Sequence, residues 1–472
     1  VWEQFDAITR VPRPSKKEGR IIEFLVAFAE KHGIEYRKDA TGNVVMCKPA
    51  TPGYEDRPGV ILQSHMDMVC EKRSDVEFDF ERDAIRTRID GGWVKAEGTT
   101  LGADCGIGMA AALAVLLDPA AQHGPLEALF TVDEETGLTG AFGLGEGMLT
   151  GKYLLNLDSE DEGELFIGCA GGIDTLATFR YAAGAAPADY AYFRVGVSGL
   201  QGGHSGDDID KGRVNSNKVV ARFLWAAMQE FDLRLSRFDG GNLRNAIPRE
   251  AWAVFGVPAG RKAGFAAFCE RFAADLGAEF RLREPSFRID FSETERPASV
   301  IDAATQRGLV YALAGVPNGV VEMSFAVPGL VETSTNLASV KFEGEDRIVV
   351  TSSQRSSVES AKLCVMRSVE AVFALAGAEV VHSDGYPGWE PDPASHLLEV
   401  TAGAYERLFG TKPRVRAIHA GLECGLFLEK YPRLEMVSFG PTLRGVHSPD
   451  ERLEIATVPR FWELLLETLR SL

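Results

Sequence analysis

Three apolar runs that end in acidic or imidazole side chains, VILQSHMD, LEALFTVDEE and YLLNLDSE, restrict the possible folds of this chain more than any other feature. Each run is too short for a core helix and lacks the strict alternation of a half-buried strand. It therefore reads as a strand covered on both sides, in a parallel or mixed sheet flanked by helices. Open α/β sheets deliver the residues at their strand ends to one edge, the edge at which such folds bind ligands. The fold class expected is α/β, with His65, Asp67, Glu134, Glu135 and Asp158 delivered to a common crevice.

The intervening segments suit that arrangement. IIEFLVAFAEKHG reads as an amphipathic helix closing at Gly33, NVVMCKPA as a strand, and LGADCGIGMAAALAVLLD as a Gly-rich turn opening an Ala-rich helix. After about residue 172 the texture becomes α+β, as in DYAYFRVGVSGL, NSNKVVARFLWAAMQEF and REAWAVFGV. The turn-rich HSDGYPGWEPDP then reads as the crossing back. SHLLEVTAGAYERLFG, LEMVSFGP and FWELLLETLRSL resume the first texture. A chain of 472 residues exceeds one ordinary core. We therefore expect a discontinuous domain of residues 1–172 plus 388–472, interrupted by an inserted α+β domain at 173–387. The insert is larger than one small sandwich. Strand and helix patterns recur in both its halves, without a sequence repeat.

Composition excludes several classes of partner. Lys+Arg 50 against Asp+Glu 68 leaves a net charge of -18, which repels phosphate backbones and anionic lipid, so neither nucleic acid nor a membrane is an expected partner. Seven cysteines without close regular spacing read as reduced thiols and point to a cytoplasmic protein. No apolar run reaches the ~18 residues of a membrane helix. The first residues, VWEQFDAITRVPRPSKKEGR, lack the basic and apolar regions of a signal peptide, and the start at Val1 reads as processed or trimmed.

The chemistry lies in short segments, each with a bland alternative. In LQSHMDMV, an H-x-D spacing on a strand directs His65 and Asp67 to one face, where Asp67 can orient the imidazole; a surface pair is the other reading. Asp104 in GTTLGADCGIG is either the N-cap of a tight turn or a ligand on backbone that glycines let approach an ion. TVDEETG ends a strand with Asp133, Glu134 and Glu135, which repel one another unless a cation offsets them. Adjacent glutamates can divide the labour, one ligating while Glu134 carries protons; a solvated loop is the alternative. Asp158 ends another apolar strand, and His447 sits in the turn-rich GVHSPDE. In order along one chain, His65, Asp104, Glu135, Asp158 and His447 suit two divalent ions, Zn²⁺ first and Mn²⁺ or Co²⁺ as alternatives, with one carboxylate free to bridge. Two such ions about 3.5 Å apart would polarise a carbonyl and supply a hydroxide near neutral pH.

Taken together, SHMDMV, KAEGTTLGADCGIGMA, HGPLEALFTVDEETG, LLNLDSEDEGE, GCAGGID, GLQGGHSG, GGNLRNAIPRE, PNGVV, HAGLECGLF and GPTLRGVHSPDE resemble the dinuclear-zinc metallopeptidases of the aminoacylase and carboxypeptidase G group. The resemblance covers nearly the whole chain, and LRNAIPRE and HAGLECGLF narrow it to a dipeptidase subgroup. It implies a zinc-peptidase-like catalytic domain with an inserted lid domain. It also implies that His65 and Asp158 ligate one metal, that Glu135 and His447 ligate the other, and that Asp104 bridges them. Glu134 would be general base and then acid, with Asp67 supporting His65 and His204 of GGHSG stabilising the oxyanion. Asn245, Arg355, His419 and Gly421 match segments that line the substrate pocket. Arg355 suits a terminal carboxylate, and a surface strand position is its alternative. Two departures stand out. Cys105 replaces a commoner Asn, and Asp207, Asp208 and Asp210 make the loop after His204 unusually acidic.

The resulting expectation is metal-dependent hydrolysis of unblocked dipeptides, including Xaa-His dipeptides such as carnosine. An N-acyl amino acid deacylase or carboxypeptidase of the same group is the alternative, and an inactive scaffold that kept the fold is a remoter one. The insert's size suits either a homodimer through the lid or a doubled domain that mimics one, so His204 serves its own subunit or a neighbour's.

Overall fold

In the computed structural model, which describes all of Val1–Leu472, the three apolar runs become neighbouring strands. Val60–His65 lies between Leu126–Thr131 and Tyr153–Asn156 and runs parallel to both, with His65 opposite Thr131 and Gln63 opposite Asn156. Every residue of the three strands is buried, which explains their apolar character on both faces. Glu435–Ser438 joins parallel to Tyr153–Asn156. The full sheet has eight strands, and its flanking members at 35–38, 44–48 and 164–169 pair antiparallel, so the sheet is mixed. The Ala-rich helix Ala103–Leu117 packs on the Val60–His65 strand. Gly19–His32 ends at Gly33, whose φ of 65° is a left-handed cap that glycine adopts at little cost. A separate four-stranded sheet pairs Leu443–Arg444, Arg452–Glu454, Trp93–Ala96 and Thr87–Asp90 in that order.

The chain divides into two units, one of residues 1–168, 389–417 and 422–472, the other of 169–388 and 418–421. One stretch departs from the expected partition: residues 418–421, expected within the 388–472 segment, belong with the second unit. The Ala170 N–H donates to the carbonyl oxygens of Ile418 and Ala420 at 3.1 and 3.0 Å, which ties this short stretch to the second unit's first residues.

The second unit is built on a nine-stranded antiparallel sheet. Strands 288–294, 190–198, 251–258 and 234–240 form one half, and 331–343, 347–356, 171–180 and 379–382 the other, with 319–323 added beside 331–343. The halves meet at a single register pair, Gly240 opposite Val340. Helices Ser216–Glu230 and Lys262–Phe280 pack on strands of the first half, and Glu359–Leu375 on strands of the second. The core is rich in phenylalanine: Phe193, Phe223, Phe255, Phe265 and Phe268 stack or meet edge to face.

Candidate active site

Because the three parallel strands end in register, the residues just beyond them leave from the same edge. His65 Nε2 lies 3.2 Å from Asp104 Oδ1 and 3.4 Å from Asp158 Oδ1. His447, in the loop between Leu443–Arg444 and Arg452–Glu454, places Nε2 3.1 Å from Asp104 Oδ2 and 3.0 Å from Glu135 Oε2. The two oxygens of Asp104 thus face two different imidazoles. Glu134 begins a short helix, Glu134–Gly137, directly after the left-handed Asp133, at φ 50°.

One local expectation needs correction, and one alternative reading is excluded. The strand ends at His65, so pleat alternation does not place Asp67. Its loop is held by Arg13, a buried guanidinium that donates to the carbonyl oxygens of Met66 and Asp67 at 3.1 and 2.7 Å and to that of Gly102. His65 Nδ1 then lies 3.2 Å from the Asp67 carbonyl oxygen and 3.3 Å from Asp67 Oδ1. The Asp67 carboxylate accepts from Ser15 Oγ at 2.7 Å and from the N–H groups of Glu134 and Glu135 at 3.0 and 3.3 Å, linking the first strand end to the second. Nor is Asp104 an N-cap: it lies inside the helix at a non-helical kink, φ -81° and ψ 116°. The cap is Glu451, whose carboxylate accepts from the N–H groups of Leu101, Gly102, Ala103 and Asp104 at 2.7 to 3.3 Å.

Arg13 and Glu451 carry no signal in the sequence because their partners are backbone atoms distant along the chain. The same holds for a polar chain across the strand ends. Gln63 donates to Glu423 Oε2 at 2.7 Å, Asn156 donates to Gln63 Oε1 at 2.5 Å, and Ser438 donates to Asn156 Oδ1 at 2.5 Å. Thr131 also donates to Glu423, at 2.7 Å. The polar letters Q, N and S inside otherwise apolar strands were the available signal, since buried polar groups require partners.

The charge balance of this region tests whether a cation fits. Glu135 Oε1 and Asp158 Oδ1 are buried without a hydrogen-bond partner. Burial pushes the Asp158 carboxyl up to about 6, and the Glu160 and Glu423 carboxyls up to about 8. Burial likewise drives Glu134 well above the ordinary carboxylate range, with Asp158, Glu423 and Glu135 adding to it. Hydrogen bonds to Asp104 and Glu135 raise His447 to about 11, so the protein side chains alone hold a proton on that ring. Such crowding, with orphaned oxygens and two nitrogens aimed at one carboxylate, is what divalent cations relieve. The His65, Asp104 and Glu135 donor atoms all lie within 4.8 Å of one another. The donor set fits hard-to-borderline divalent ions.

In the second unit the remaining predicted residues fall close to one another. His204 pairs with Ala246, and Ser205 donates its N–H to the Asn245 carbonyl at 2.8 Å. The Asn245 side chain itself is exposed. His204 Nδ1 accepts from the Gly206 and Asp207 N–H groups at 3.3 and 3.2 Å, whereas Asp207 Oδ2 is 3.6 Å away, beyond hydrogen-bond reach. Burial and the Arg355 charge lower its pKa, which leaves a neutral ring with its proton on Nε2. Asp208 accepts from the His204 N–H at 2.9 Å and from Lys211 and Arg213, so part of the loop's acidity is spent holding the loop.

Arg355 is 9% exposed on the Arg347–Ser356 strand, not on the surface. One nitrogen donates to the Tyr386 hydroxyl at 3.1 Å, while Nε is buried without a partner. His419 Nε2 lies 2.8 Å from Ser334 Oγ, and burial followed by the Arg355 charge pushes its pKa down to about 3. A Cβ on Gly421 would approach the Tyr386 ring to 2.8 Å, so the glycine admits the ring that Arg355 contacts.

An α/β sheet with His and carboxylate donors at its parallel strand ends, interrupted by an antiparallel unit, defines a metallopeptidase architecture. The chain belongs to peptidase family M20/M25/M40, whose sequence model matches residues 61–471. It is 42% identical over 472 residues to the cytosol non-specific dipeptidase of Escherichia coli (strain K12), a match covering 100% of this chain and 97% of that protein. The crystal structure of aminoacylhistidine dipeptidase from Vibrio alginolyticus is 46% identical and superposes with a TM-score of 0.94, covering 100% of this chain and 96% of that one. The aminopeptidase PepT of Bacillus cereus ATCC 10987 shares the fold at 18% identity, with a TM-score of 0.59 and coverage of 100% and 97%.

Proposed function

We propose that this chain is a dinuclear metallo-dipeptidase that hydrolyses unblocked dipeptides, Xaa-His dipeptides among them. The observation that carries the reading is Asp104, whose two oxygens sit 3.2 and 3.1 Å from His65 Nε2 and His447 Nε2. In this reading His65 and Asp158 would hold one cation and Glu135 and His447 the other, with Asp104 a donor to each. Such cations, when bound, polarise the scissile carbonyl and acidify water.

The chain's own residues carry the remaining steps. A carboxylate oxygen of Glu134 takes the proton from the attacking water and returns it to the departing amine, a role suited to a carboxyl that burial has made more basic. Asp67 keeps His65 and the Glu134–Glu135 backbone in place. Among the residues of the second unit, the Nε2–H of His204 serves the oxyanion, the Arg355 fork serves the substrate's terminal carboxylate, and Asn245, His419 and Gly421 shape the pocket.

The same reading assigns Zn²⁺ as the resident ion and a cytoplasmic setting, in keeping with seven cysteines that lack the close regular spacing of a disulfide framework. No helix is long and apolar enough to cross a membrane. A homodimer formed through the second unit completes the reading. The test is a panel of free dipeptides, a tripeptide and N-acetyl amino acids assayed with Zn²⁺, Mn²⁺ and Co²⁺. Cleavage of the dipeptides is the expected result; cleavage of the acetylated compounds alone would reassign the chain as a deacylase.

A further inference from the structure

The residue after Asp104 is a cysteine whose thiol is directed into the candidate centre. The donor atoms of His65, Cys105 and Asp158 all lie within 4.8 Å of one another. Tetrahedral donors at about 2.0–2.3 Å from one ion stand roughly 3.3–3.8 Å apart, so three donor atoms this close can converge on one ion with a small adjustment of their side chains. The thiol donates to the Leu157 carbonyl at 3.3 Å and also faces the buried Asp158 carboxyl, with which it interacts directly, so sulfur and carboxylate already meet beside His65.

The backbone holds the thiol in this position. Cys105 is 1% exposed and non-helical at φ -96° and ψ 30°, immediately after the segment whose N–H groups Glu451 fixes. Gly108, three residues on, clears the space beside it, because a Cβ there would meet the Cys105 sulfur at 2.8 Å and the Leu157 carbonyl oxygen at 2.4 Å.

We infer that Cys105 is a sulfur donor to the cation held by His65 and Asp158. The inference rests on the dinuclear reading above and makes the two half-sites chemically unequal. The His65–Asp158–Cys105 half offers nitrogen, oxygen and sulfur, whereas the Glu135–His447 half offers only nitrogen and oxygen. When the cation binds, the thiol proton passes to solvent and the thiolate sulfur forms the bond. The sulfur half accordingly favours thiophilic ions such as Zn²⁺ and Cd²⁺, while the other half accepts Mn²⁺ or Co²⁺ readily.

The test is X-ray absorption on the purified chain loaded with two equivalents of Zn²⁺, for the native protein and for Cys105→Ser, which preserves a hydroxyl toward the Leu157 carbonyl. The expected native spectrum contains a sulfur shell at about 2.3 Å, averaging one sulfur per two zinc ions, and Cys105→Ser loses it. Cd²⁺ affinity of one site should fall about tenfold or more in the variant, with Mn²⁺ affinity unchanged. Two bound zinc ions with only nitrogen and oxygen neighbours in the native protein would overturn the inference and leave the dinuclear reading standing. Sulfur scattering that persists in Cys105→Ser would overturn it as well. A native protein that binds no divalent ion would defeat the dinuclear reading itself. The native spectrum decides the question even if the variant does not fold.

Discussion

The strands that supply the donor atoms of the first unit run parallel and bury both faces, whereas the pairings of the second unit are antiparallel. Parallel strands end together, so one edge collects His65, the Glu134–Glu135 turn and Asp158, and it accumulates negative charge that burial makes costly. The antiparallel unit carries the opposite shortage. His204 and His419 are held neutral, and Arg355 keeps a buried nitrogen without an acceptor. Burial is the first cause of the raised carboxyls at Glu134, Asp158 and Glu423 and of the lowered imidazoles at His204 and His419. Among their charged neighbours, carboxylates add to the first set and the Arg355 guanidinium to the second, while Asp104 and Asp67, in contact with imidazoles, are driven down.

Four experiments would break or sharpen that contrast. The largest effect is expected from Glu134→Gln, which should lower kcat by roughly 10²–10⁴ while metal analysis finds the cations still bound. Unchanged turnover would remove Glu134 from the proton transfers. Next, Arg355→Ala should raise KM for free dipeptides by about 10–100-fold, in line with ~1.5–3 kcal/mol for hydrogen bonds to a charged group. Dipeptide amides should be indifferent to the change, and equal losses on both substrates would contradict the carboxylate assignment.

A smaller effect is expected at Glu451→Gln, which weakens the cap beneath Asp104. Metal affinity should drop by about tenfold, read by competition with a chelating dye, and the melting temperature should fall modestly. The last experiment reads stability in acid rather than turnover or metal affinity, and concerns the second unit. The His419 pKa is about 3 in the folded chain against an ordinary value of 6.5. Between those values the unfolded state binds the extra proton, so the contribution of this group to stability falls as pH drops from 6.5 toward 3, by at most ~1.4 kcal/mol per pH unit. Urea melts across that window should show a shallower decline for His419→Asn than for the native chain, and parallel declines would rule out the assignment.

The strands were legible because burial on both faces leaves an unbroken apolar run, and the helix Gly19–His32 because an amphipathic stripe ends at Gly33. The segments that the structure brings together at the candidate site were legible by residue type and order, each of them too weak to stand alone. Other features lay beyond local patterns. Nothing near Arg13 announces that its partners are the Met66, Asp67 and Gly102 carbonyls, and nothing near Glu451 announces four N–H groups some 350 positions earlier along the chain. The pairing of Ala170 with Ile418 and Ala420, which moves His419 and Gly421 into the second unit, is equally non-local.

Residue order and type by themselves determined the α/β class, the interruption by an α+β segment and the kinds of donor atom available, because hydrophobic period and side-chain chemistry are local properties. Only the tertiary structure decided that Asp104 faces two imidazoles at once, that Glu451 rather than Asp104 caps the Gly-rich turn, and that Cys105 joins His65 and Asp158. These are distances between residues far apart in the chain. They arise from strand register and from which buried polar groups find partners, and no short stretch of sequence encodes either.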